Sequence, residues 1–438
     1  MTPNRKLFGT DGVRGPVGRF LTAELAVALG RAVVEESETP RPQVLVIRDT
    51  RESGQMLEAA LAAGITSAGG DCLLGGVLPS PAASVLARRY GLDMAAVVSA
   101  SHNPFGDNGI KFFDSQGMKL SDEVELRVEA RLDSPGPPAE RVGRVRRLEG
   151  ALADYIRELR RHFRVDLTGR RVMLDCANGA AYKAAPAIFS RLGADVTAIA
   201  DQPDGRNINA GCGSTHIDHL RERIAGSGCE VGFAFDGDAD RVLAVDEQGR
   251  VHDGDELIAL AARHLRARGE LSGGVAVTVM TNYGFHQHME EAGIEVAVTP
   301  VGDRYVLEEM RRREWVLGGE QSGHIIWTDY APTGDGIAAA LLAMEAIGGT
   351  PISEAPMFEK LPQMLKNVEV ADRGAVAGSS TLWDAVDGEN AALEGRGRVL
   401  VRASGTEPLV RVMVEAPELA EAEAVCGRLV ELVRNELA

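Results

Sequence analysis

The sequence predicts an α/β protein of several domains, in which three similar α/β domains precede a smaller α+β domain. Length is the first observation, because 438 residues are too many for one core and suggest roughly three or four domains at about 150 residues each. A recurring unit of strand, turn and helix is the second, and it indicates α/β architecture. The third is a C-terminal segment that lacks this unit.

The recurring unit runs from an apolar strand through a polar turn and a helical stretch to a Gly beside an acidic residue, and then into another apolar strand. It occurs at residues 43–79, 171–200 and 274–300. The copies match in pattern more than in identity, so they favour three related α/β domains. Any α/β protein alternates strands and helices in this way, and an α/β chain without related domains is the alternative.

The C-terminal segment and three polar stretches define the expected domains. Residues 397–417 are typical of a β-hairpin with a polar loop, and a helix is predicted from about 418 to 436, which together give a small α+β domain. Pro, Gly and polar residues concentrate at 133–143, 246–256 and 361–370. We therefore expect domains at residues 1–150, 151–250, 251–365 and 366–438.

The composition is that of a globular protein without general affinity for polyanions. Apolar residues make up 45% and charged residues 25% of the chain, and no run reaches the roughly 18 apolar residues of a membrane span. The net charge of −17 argues against binding to nucleic acid or anionic membranes, although local arginines can hold a phosphate. Five widely spaced cysteines, and a start without an apolar signal region, predict reduced thiols and a cytoplasmic location.

Three carboxylates at alternate positions, Asp236, Asp238 and Asp240, follow the apolar run VGFAF. On an extended chain this spacing puts like charges on one side, which costs energy unless a cation sits among them. Three carboxylates with one outside oxygen favour magnesium over calcium. An EF-hand would also use Glu247, but Arg241 stands where that loop needs glycine. A solvated acidic turn is the remaining alternative.

The stretch SASHNP at 99–104 follows residues 94–98, which predict a strand buried on both faces. Ligands of open α/β sheets bind at the carboxyl ends of strands, so Ser101 is a candidate nucleophile, and its phosphate would supply the outside oxygen of the metal site. A serine-hydrolase triad is disfavoured because His102 adjoins Ser101 and no G-x-S-x-G elbow exists. A plain capping turn is the other alternative, but it does not explain Lys111 or the metal loop.

Two further polar segments are suited to binding a sugar phosphate. RASGTEP at 402–408, followed by Arg411, combines hydroxyls, a glycine turn and two arginines that can surround a phosphate, although turns with Ser and Gly are common. GEQSGH at 319–324 offers a carboxylate, a hydroxyl and an imidazole for reading sugar hydroxyls and moving a proton. A lone histidine such as His324 is more often structural.

Five motifs in this order resemble those of the α-D-phosphohexomutases, and they extend over nearly the whole chain. They are GTDGVRG (9–15), SASHNP (99–104), DGDADR (236–241), GEQSGH (319–324) and RASGTEP (402–408). The resemblance implies three similar α/β/α domains with mixed sheets and a smaller, mobile C-terminal domain around one central cleft. It also implies interconversion of hexosamine 6-phosphate and 1-phosphate through a 1,6-bisphosphate, with a hexosamine or hexose 1,6-bisphosphate as activator.

The resemblance also assigns roles to individual residues. Catalytic roles fall on Ser101 as the phosphoserine, on Lys111 and His324 as acid/base candidates, and on Arg14 beside the phosphoserine. One magnesium ion is expected on Asp236, Asp238, Asp240 and the Ser101 phosphate. Substrate binding falls on Glu320, Ser322, Arg402, Ser404, Gly405, Thr406 and Arg411, with Arg241 and Arg304 as weaker assignments. The expected partner is a small sugar phosphate, without nucleic acid or membrane, and a homodimer is a family-level expectation.

Two other functions are compatible with these motifs. A sibling mutase would act on mannose or glucose phosphates, and a substrate panel would separate it. A metal-dependent phosphatase, or a silent sugar-phosphate binder, belongs to another class. Ser101, the three aspartates and the terminal phosphate loop argue against it, because a hydrolase needs no second phosphate site.

Overall fold

The computed structural model describes residues 7–9, 11–134, 136–137, 139–403 and 409–437, apart from the side chains of residues 373 and 374. The chain divides into two compact units, Met1–Met280 with Ile294–Pro356, and Thr281–Gly293 with Met357–Ala438. All five cysteines are buried free thiols. Within the described ranges, no helix combines the length and the apolar character that a bilayer crossing requires.

The first sheet has six strands in the order β1-β5-β4-β2-β3-β6. Its elements are β1 (Val13–Pro16), α1 (Ala23–Glu35), β2 (Gln43–Arg48), α2 (Gly54–Ser67), β3 (Asp71–Val77), α3 (Pro81–Tyr90), β4 (Met94–Val98), β5 (Asp107–Asp114), α4 (Asp122–Asp133) and β6 (Val145–Arg147). The strands β4, β2, β3 and β6 run parallel, while β5 is antiparallel to β4 and to β1. All residues of β4 are buried, as expected for a central parallel strand.

The second sheet has five strands in the order β11-β10-β9-β7-β8. Its elements are α5 (Ala151–His162), β7 (Arg171–Asp175), α6 (Ala181–Arg191), β8 (Asp195–Ile199), α7 (Asp218–Ile224), β9 (Val231–Phe235), β10 (Val242–Asp246) and β11 (Val251–His252). The strands β8, β7 and β9 are parallel, and β10 turns back antiparallel to β9. The apolar run VGFAF is β9, which is buried throughout.

The third sheet has four strands in the order β13-β12-β14-β15. Its region contains α8 (Gly254–Ala267), β12 (Gly274–Thr278), α9 (Tyr283–Glu291), β13 (Glu295–Thr299), α10 (Asp303–Arg313), β14 (Leu317–Gly319), β15 (Ile325–Trp327) and α11 (Gly336–Ile347). The strands β13, β12 and β14 are parallel, and β15 is antiparallel to β14. Helix α9 belongs to the second compact unit.

The three sheets share one plan, in which a parallel strand is followed by an antiparallel neighbour and a motif lies between them. The connections are 99–106 between β4 and β5, 236–241 between β9 and β10, and 320–324 between β14 and β15. The predicted fold class is confirmed: three similar α/β/α domains with mixed sheets precede a smaller α+β domain. The predicted domain limits stay predictions.

The second unit is built on an antiparallel sheet in the order β16-β18-β17. Besides α9, its elements are β16 (Gln363–Glu369), α12 (Ser380–Ala392), β17 (Arg398–Ala403), β18 (Leu409–Glu415) and α13 (Leu419–Leu437). Helix α13 packs on β16 and β18. The core between them is mainly valine and leucine, including Val410, Val412 and Val433, which are fully buried.

A buried carboxylate joins α9 to this second sheet. Glu415, at the end of β18, accepts hydrogen bonds from Tyr283 N at 2.9 Å and from Asn282 Nδ2 at 3.3 Å. It also accepts from Gln363 Nε2 at 2.8 Å and pairs with Arg398 Nε at 2.7 Å. A buried carboxylate is costly without such partners, so the contacts with Tyr283 and Asn282 fix the start of α9 on the sheet, while Gln363 and Arg398 hold Glu415 from the neighbouring strands.

A second buried carboxylate caps α11. Asp335 Oδ1 accepts the backbone N–H groups of Ile337 and Ala338, each at 3.0 Å. Its Oδ2 accepts from the hydroxyls of Tyr155 at 2.7 Å and Tyr330 at 3.1 Å. Burial nevertheless raises the pKa of Asp335 from 3.8 to about 6, because these hydrogen bonds do not fully replace water.

We predict that Asp335 makes the folded protein less stable as the pH rises from 4 to 7. Its raised pKa means that the folded state binds this proton more tightly than the unfolded state, so the stabilisation present at low pH is lost through pH 6, by about 3 kcal/mol at most. Asp335→Asn keeps the volume but not the titration. Melting temperatures across this range should show wild type gaining on the variant as the pH falls, and parallel curves would contradict the prediction.

Candidate active site

The three connecting loops of the first unit converge on one another. Ser101 Oγ, after β4, donates to Asp236 Oδ2, after β9, at 2.5 Å. His324, before β15, places Nδ1 at 3.7 Å from Asp240 Oδ2. The structure therefore brings together the SASHNP, DGDADR and GEQSGH motifs, which are spread over residues 99–324 of the chain.

Ser101 occupies a buried and unusual position on its loop. Its side chain is almost fully enclosed, with 1% of the residue exposed, and its φ of 49° lies in the left-handed region. Strain of this kind costs free energy and is found mostly at functional sites. Ser101 N donates to Ser99 Oγ at 3.0 Å, and Ser101 Oγ lies 3.3 Å from His102 Nδ1. The loop thus aims the hydroxyl at the aspartates.

Arg51, which the sequence analysis missed, organises the backbone of the Ser101 loop. Its guanidinium donates to three carbonyls of that loop, at 2.9 Å to Ser101 O, 2.8 Å to Asn103 O and 2.5 Å to Pro104 O. Arg51 Nε pairs with Asp49 Oδ2 at 2.8 Å, and burial raises the pKa of Asp49. Five donors in a rigid fork suit this task better than a lysine would.

Two other side chains complete the support of this loop. Asp49 accepts from Ser99 Oγ at 2.6 Å, and Asn209 Nδ2 donates to Ser101 O at 2.9 Å and to Asn103 O at 3.2 Å. A signal for Asp49 and Arg51 existed in the sequence, because they follow β2, a parallel neighbour of β4, and so end at the same sheet edge. Asn209 lies in an irregular segment and carries no comparable signal.

The three aspartates form a buried cluster. One oxygen from each of Asp236, Asp238 and Asp240 lies within 4.8 Å of the others. Burial and the two neighbouring carboxylates hold the pKa of Asp236 well above its ordinary range. A side chain at Gly237 would come within 2.5 Å of Ser101 O, so the close approach of the two loops requires glycine there.

This donor set fits a divalent cation. Oδ1 of Asp238 and of Asp240 are buried and, among the described residues, accept no hydrogen bond. Gathered carboxylates with uncommitted oxygens are the ligands that hard cations such as magnesium prefer. The residues that would hold the ion are Asp236, Asp238, Asp240 and Ser101.

Lys111 provides the cation already present in the cluster. Its Nζ lies 2.9 Å from Asp238 Oδ2, 3.5 Å from Asp240 Oδ2 and 3.7 Å from Asp11 Oδ2. Burial alone would lower the pKa of Lys111, but the two aspartates outweigh it and raise that pKa. Arg14 lies on β1 opposite β5, the strand of Lys111, and forms an ion pair with Asp11. Ser80, also missed, donates its hydroxyl to Asp238 Oδ2 at 2.5 Å.

The polar side chains of the third loop differ in how deeply they are buried. His324 is buried, and its Nε2 accepts from Gly334 N at 3.2 Å. Burial alone would lower the pKa of His324, but Asp240 and Asp303 raise it. Glu320 is half-buried and accepts from Gly302 N at 2.9 Å, whereas Ser322 is exposed.

The two weaker arginine assignments have different surroundings. Arg241 lies at the cluster, with Nε 3.9 Å from Asp240 Oδ1. Arg304 instead donates to Leu120 O at 3.0 Å and pairs with Asp122 and Glu125. Its guanidinium therefore contacts the connection between β5 and α4 and the first turn of α4, and its role in substrate binding stays a prediction.

The predicted phosphate loop belongs to the second unit. Arg402 on β17 and Arg411 on β18 lie directly opposite each other in the sheet. Burial and the neighbouring Arg411 lower the pKa of Arg402, as expected for two adjacent guanidinium groups suited to an anion. Ser404, Gly405 and Thr406 lie outside the described residues, so their assigned roles stay predictions.

Comparison with known families accounts for almost the whole chain. Residues 5–137, 153–249 and 253–364 match the alpha/beta/alpha domains I, II and III of phosphoglucomutase/phosphomannomutase, and 365–432 match its C-terminal domain. The chain belongs to the phosphohexomutase family. Membership makes it an enzyme of the mutase type, which confirms the resemblance seen in the five motifs.

The alignments with individual relatives extend over nearly the full length of this chain and of each relative. Phosphoglucosamine mutase of Pelotomaculum thermopropionicum is 50% identical over 98% of this chain and 99% of its own length. That of Desulforudis audaxviator is 51% identical over 98% and 97%. A family protein of Burkholderia thailandensis has the same fold, with a TM-score of 0.83 at 23% identity over 98% of each chain. N-acetylphosphoglucosamine mutase of Aspergillus fumigatus, solved with GlcNAc-6P and magnesium, has a TM-score of 0.65 at 20% identity, over 100% of this chain and 97% of that one.

We predict that Arg51→Lys lowers the mutase rate about tenfold or more and lowers the melting temperature. Lysine keeps a positive charge near Asp49 but cannot make the hydrogen bonds that the guanidinium donates to the three carbonyls. Each charged hydrogen bond contributes about 1.5–3 kcal/mol. Arg48→Lys is the control, because Arg48 is the last residue of β2, just before Arg51, and its guanidinium pairs with Glu58 at 3.4 Å and donates to Asp49 O at 3.2 Å without contacting the Ser101 loop. Equal rates for the two variants would contradict this role of Arg51.

Proposed function

We propose that the protein interconverts glucosamine 6-phosphate and glucosamine 1-phosphate through phosphorylated Ser101 and a 1,6-bisphosphate intermediate. The observation that carries the proposal is the 2.5 Å contact of the buried Ser101 hydroxyl with the aspartate cluster, beside Lys111. Relatives of about the same length and about half-identical sequence carry the name phosphoglucosamine mutase, which supports the sugar. The product would supply synthesis of UDP-N-acetylglucosamine.

Each half-reaction moves one phosphoryl group. In the first, the P–O bond to Ser101 Oγ breaks as a sugar hydroxyl bonds to phosphorus, and the hydroxyl proton passes to an acid/base group. In the second, Ser101 Oγ bonds to the phosphorus at the other end of the bisphosphate, the P–O bond to the sugar breaks, and an acid/base group gives the sugar oxygen a proton. Lys111 and His324 are the acid/base candidates, since both are buried and face Asp240. Arg14 would flank the phosphoserine.

Magnesium fits the site because the aspartate cluster offers buried carboxylate oxygens that accept no hydrogen bond from the described residues. When bound by the three aspartates and an oxygen on Ser101, one ion would neutralise charge on the transferred phosphoryl group. The magnesium in the Aspergillus fumigatus structure supports this choice of metal. Enclosure of Ser101 would meanwhile limit attack of water on the phosphoserine.

The bisphosphate has to turn over between the two half-reactions, so the enzyme must hold a phosphate away from Ser101. We assign that phosphate to Arg402 and Arg411, together with the predicted Ser404, Gly405 and Thr406. Glu320 and Ser322 would read sugar hydroxyls, with Arg241 and Arg304 as weaker contributors. A hexosamine or hexose 1,6-bisphosphate as activator, a homodimer and a cytoplasmic location remain family-level predictions.

Initial rates on three sugar 1-phosphates test the substrate. With magnesium and a trace of glucose 1,6-bisphosphate, we expect kcat/KM to be at least about tenfold higher for glucosamine 1-phosphate than for mannose or glucose 1-phosphate. This ratio corresponds to about 1.4 kcal/mol of transition-state discrimination. An equal or higher value for a neutral sugar would leave the Ser101 chemistry intact and assign the enzyme to a sibling substrate.

Ser101→Ala tests the phosphate carrier. We expect mutase activity to fall below detection even with added bisphosphate, because no group remains to accept the phosphoryl, while the melting temperature stays near that of wild type. Ser84→Ala is a suitable control, since Ser84 is fully buried and its hydroxyl has no hydrogen-bond partner among the described residues. Substantial activity in Ser101→Ala would refute the phosphoserine route.

A further inference from the structure

A closed ring of acidic and basic side chains joins all three α/β domains close to Ser101. We call it the charge ring, and its members in order are Asp11, Lys111, Asp240, His324, Asp303 and Lys119. Aspartates alternate with basic residues around it, so each aspartate lies between two basic side chains. The proposed function uses Lys111, Asp240 and His324 but gives no task to the other half of the ring.

That other half is centred on Lys119. Its Nζ lies 2.5 Å from Asp303 Oδ2 and also forms an ion pair with Asp11. Asp303 Oδ2 in turn lies 3.5 Å from His324 Nε2. Lys119 and Asp303 are 15% and 18% exposed in their side chains, so the pair is screened by water much less than a surface ion pair.

The position of Asp303 in the fold extends the effect of this pair. Asp303 begins α10, and the preceding Gly302 N donates to Glu320 Oε1 at 2.9 Å. The following Arg304 contacts the segment that carries Lys119, through Leu120 O at 3.0 Å. Three consecutive residues therefore connect the Glu320 and His324 loop to the first domain.

Lys119 and Asp303 also line a cavity of about 580 Å³, together with Arg304 and Thr333. This volume is in the range of small-molecule sites. Direct contact with the substrate is thus the competing role for the pair, and it predicts a different kinetic effect from positioning.

We propose that Lys119 and Asp303 are positioning residues of the mutase, which hold His324 and Glu320 at a fixed distance from Ser101. The inference rests on the proposed function, because it concerns the geometry of that phosphoryl transfer. Loss of Lys119 leaves Asp11 and Asp303 as facing carboxylates without their shared cation, so α10 should move away from the first domain. A shift of about 1 Å at a reacting centre can lower a rate by about two orders of magnitude.

Steady-state kinetics of Lys119→Met and Asp303→Asn test this role. We expect kcat to fall about 10- to 100-fold in each, with KM within about threefold of wild type. The double variant should be no worse than about threefold below the poorer single variant, because one broken pair already removes the effect. Lys119→Arg, which keeps the charge between the carboxylates, should recover most of kcat.

Glu158→Gln is the matched control, since Glu158 forms a partly buried ion pair with Arg89 that joins the first two α/β domains, and neither residue is a member of the charge ring. Its kcat should stay within about twofold of wild type. An unchanged kcat in both ring variants, a rise in KM alone, additive losses, or an equal loss in Glu158→Gln would overturn the inference. If Lys119→Met does not fold, Lys119→Arg and Asp303→Asn decide the question.

Failure of the substrate assignment would be visible separately. Wild type is assayed first on the three sugar 1-phosphates, and the variants are then compared on whichever sugar wild type prefers. A neutral-sugar preference would therefore change the proposed substrate while the kcat comparison still tests the charge ring.

Discussion

The crowding of three carboxylates next to the Ser101 hydroxyl is the constraint on which the rest of the site depends. Asp236, Asp238 and Asp240 are buried within 4.8 Å of one another, and such a group is stable only with compensating charge. Lys111 supplies part of this charge in the folded chain, and the negative charge that remains on the three carboxylates suits a divalent ion. The absence of a side chain at Gly237 allows the serine loop to approach.

Hydrogen-bond donors hold the serine loop on the side that faces away from the aspartates. Arg51 and Asn209 donate hydrogen bonds to backbone carbonyls of this strained loop, so the loop meets N–H donors on one side and carboxylates on the other. The hydroxyl is thereby oriented by the backbone as well as by Asp236. Preorganisation of this kind lowers the reorganisation needed during phosphoryl transfer.

Local patterns explain which parts the sequence could predict. The buried β4 and the Asp motif are encoded in short runs, and chain order together with the end-of-strand rule was enough to nominate Ser101 and the three aspartates. The contacts of Arg51 with 101–104, and of Lys119 with Asp303, join residues about 50 and 184 apart along the chain. No periodicity reports such pairings, because they depend on how whole sheets pack. Arg304 illustrates the same limit. An arginine is suited to binding phosphate, but its partners depend on packing, and Arg304 forms ion pairs with Asp122 and Glu125.

The placement of α9 has a consequence for how the protein can be divided. Residues 281–293 lie between β12 and β13 in the chain, yet Glu415 of β18 binds the backbone N–H of Tyr283 and the side chain of Asn282. The four sequence domains are therefore not four separable modules. A chimera that exchanges the C-terminal domain between relatives would need to exchange the α9 segment as well, or else leave a buried glutamate facing an unmatched helix.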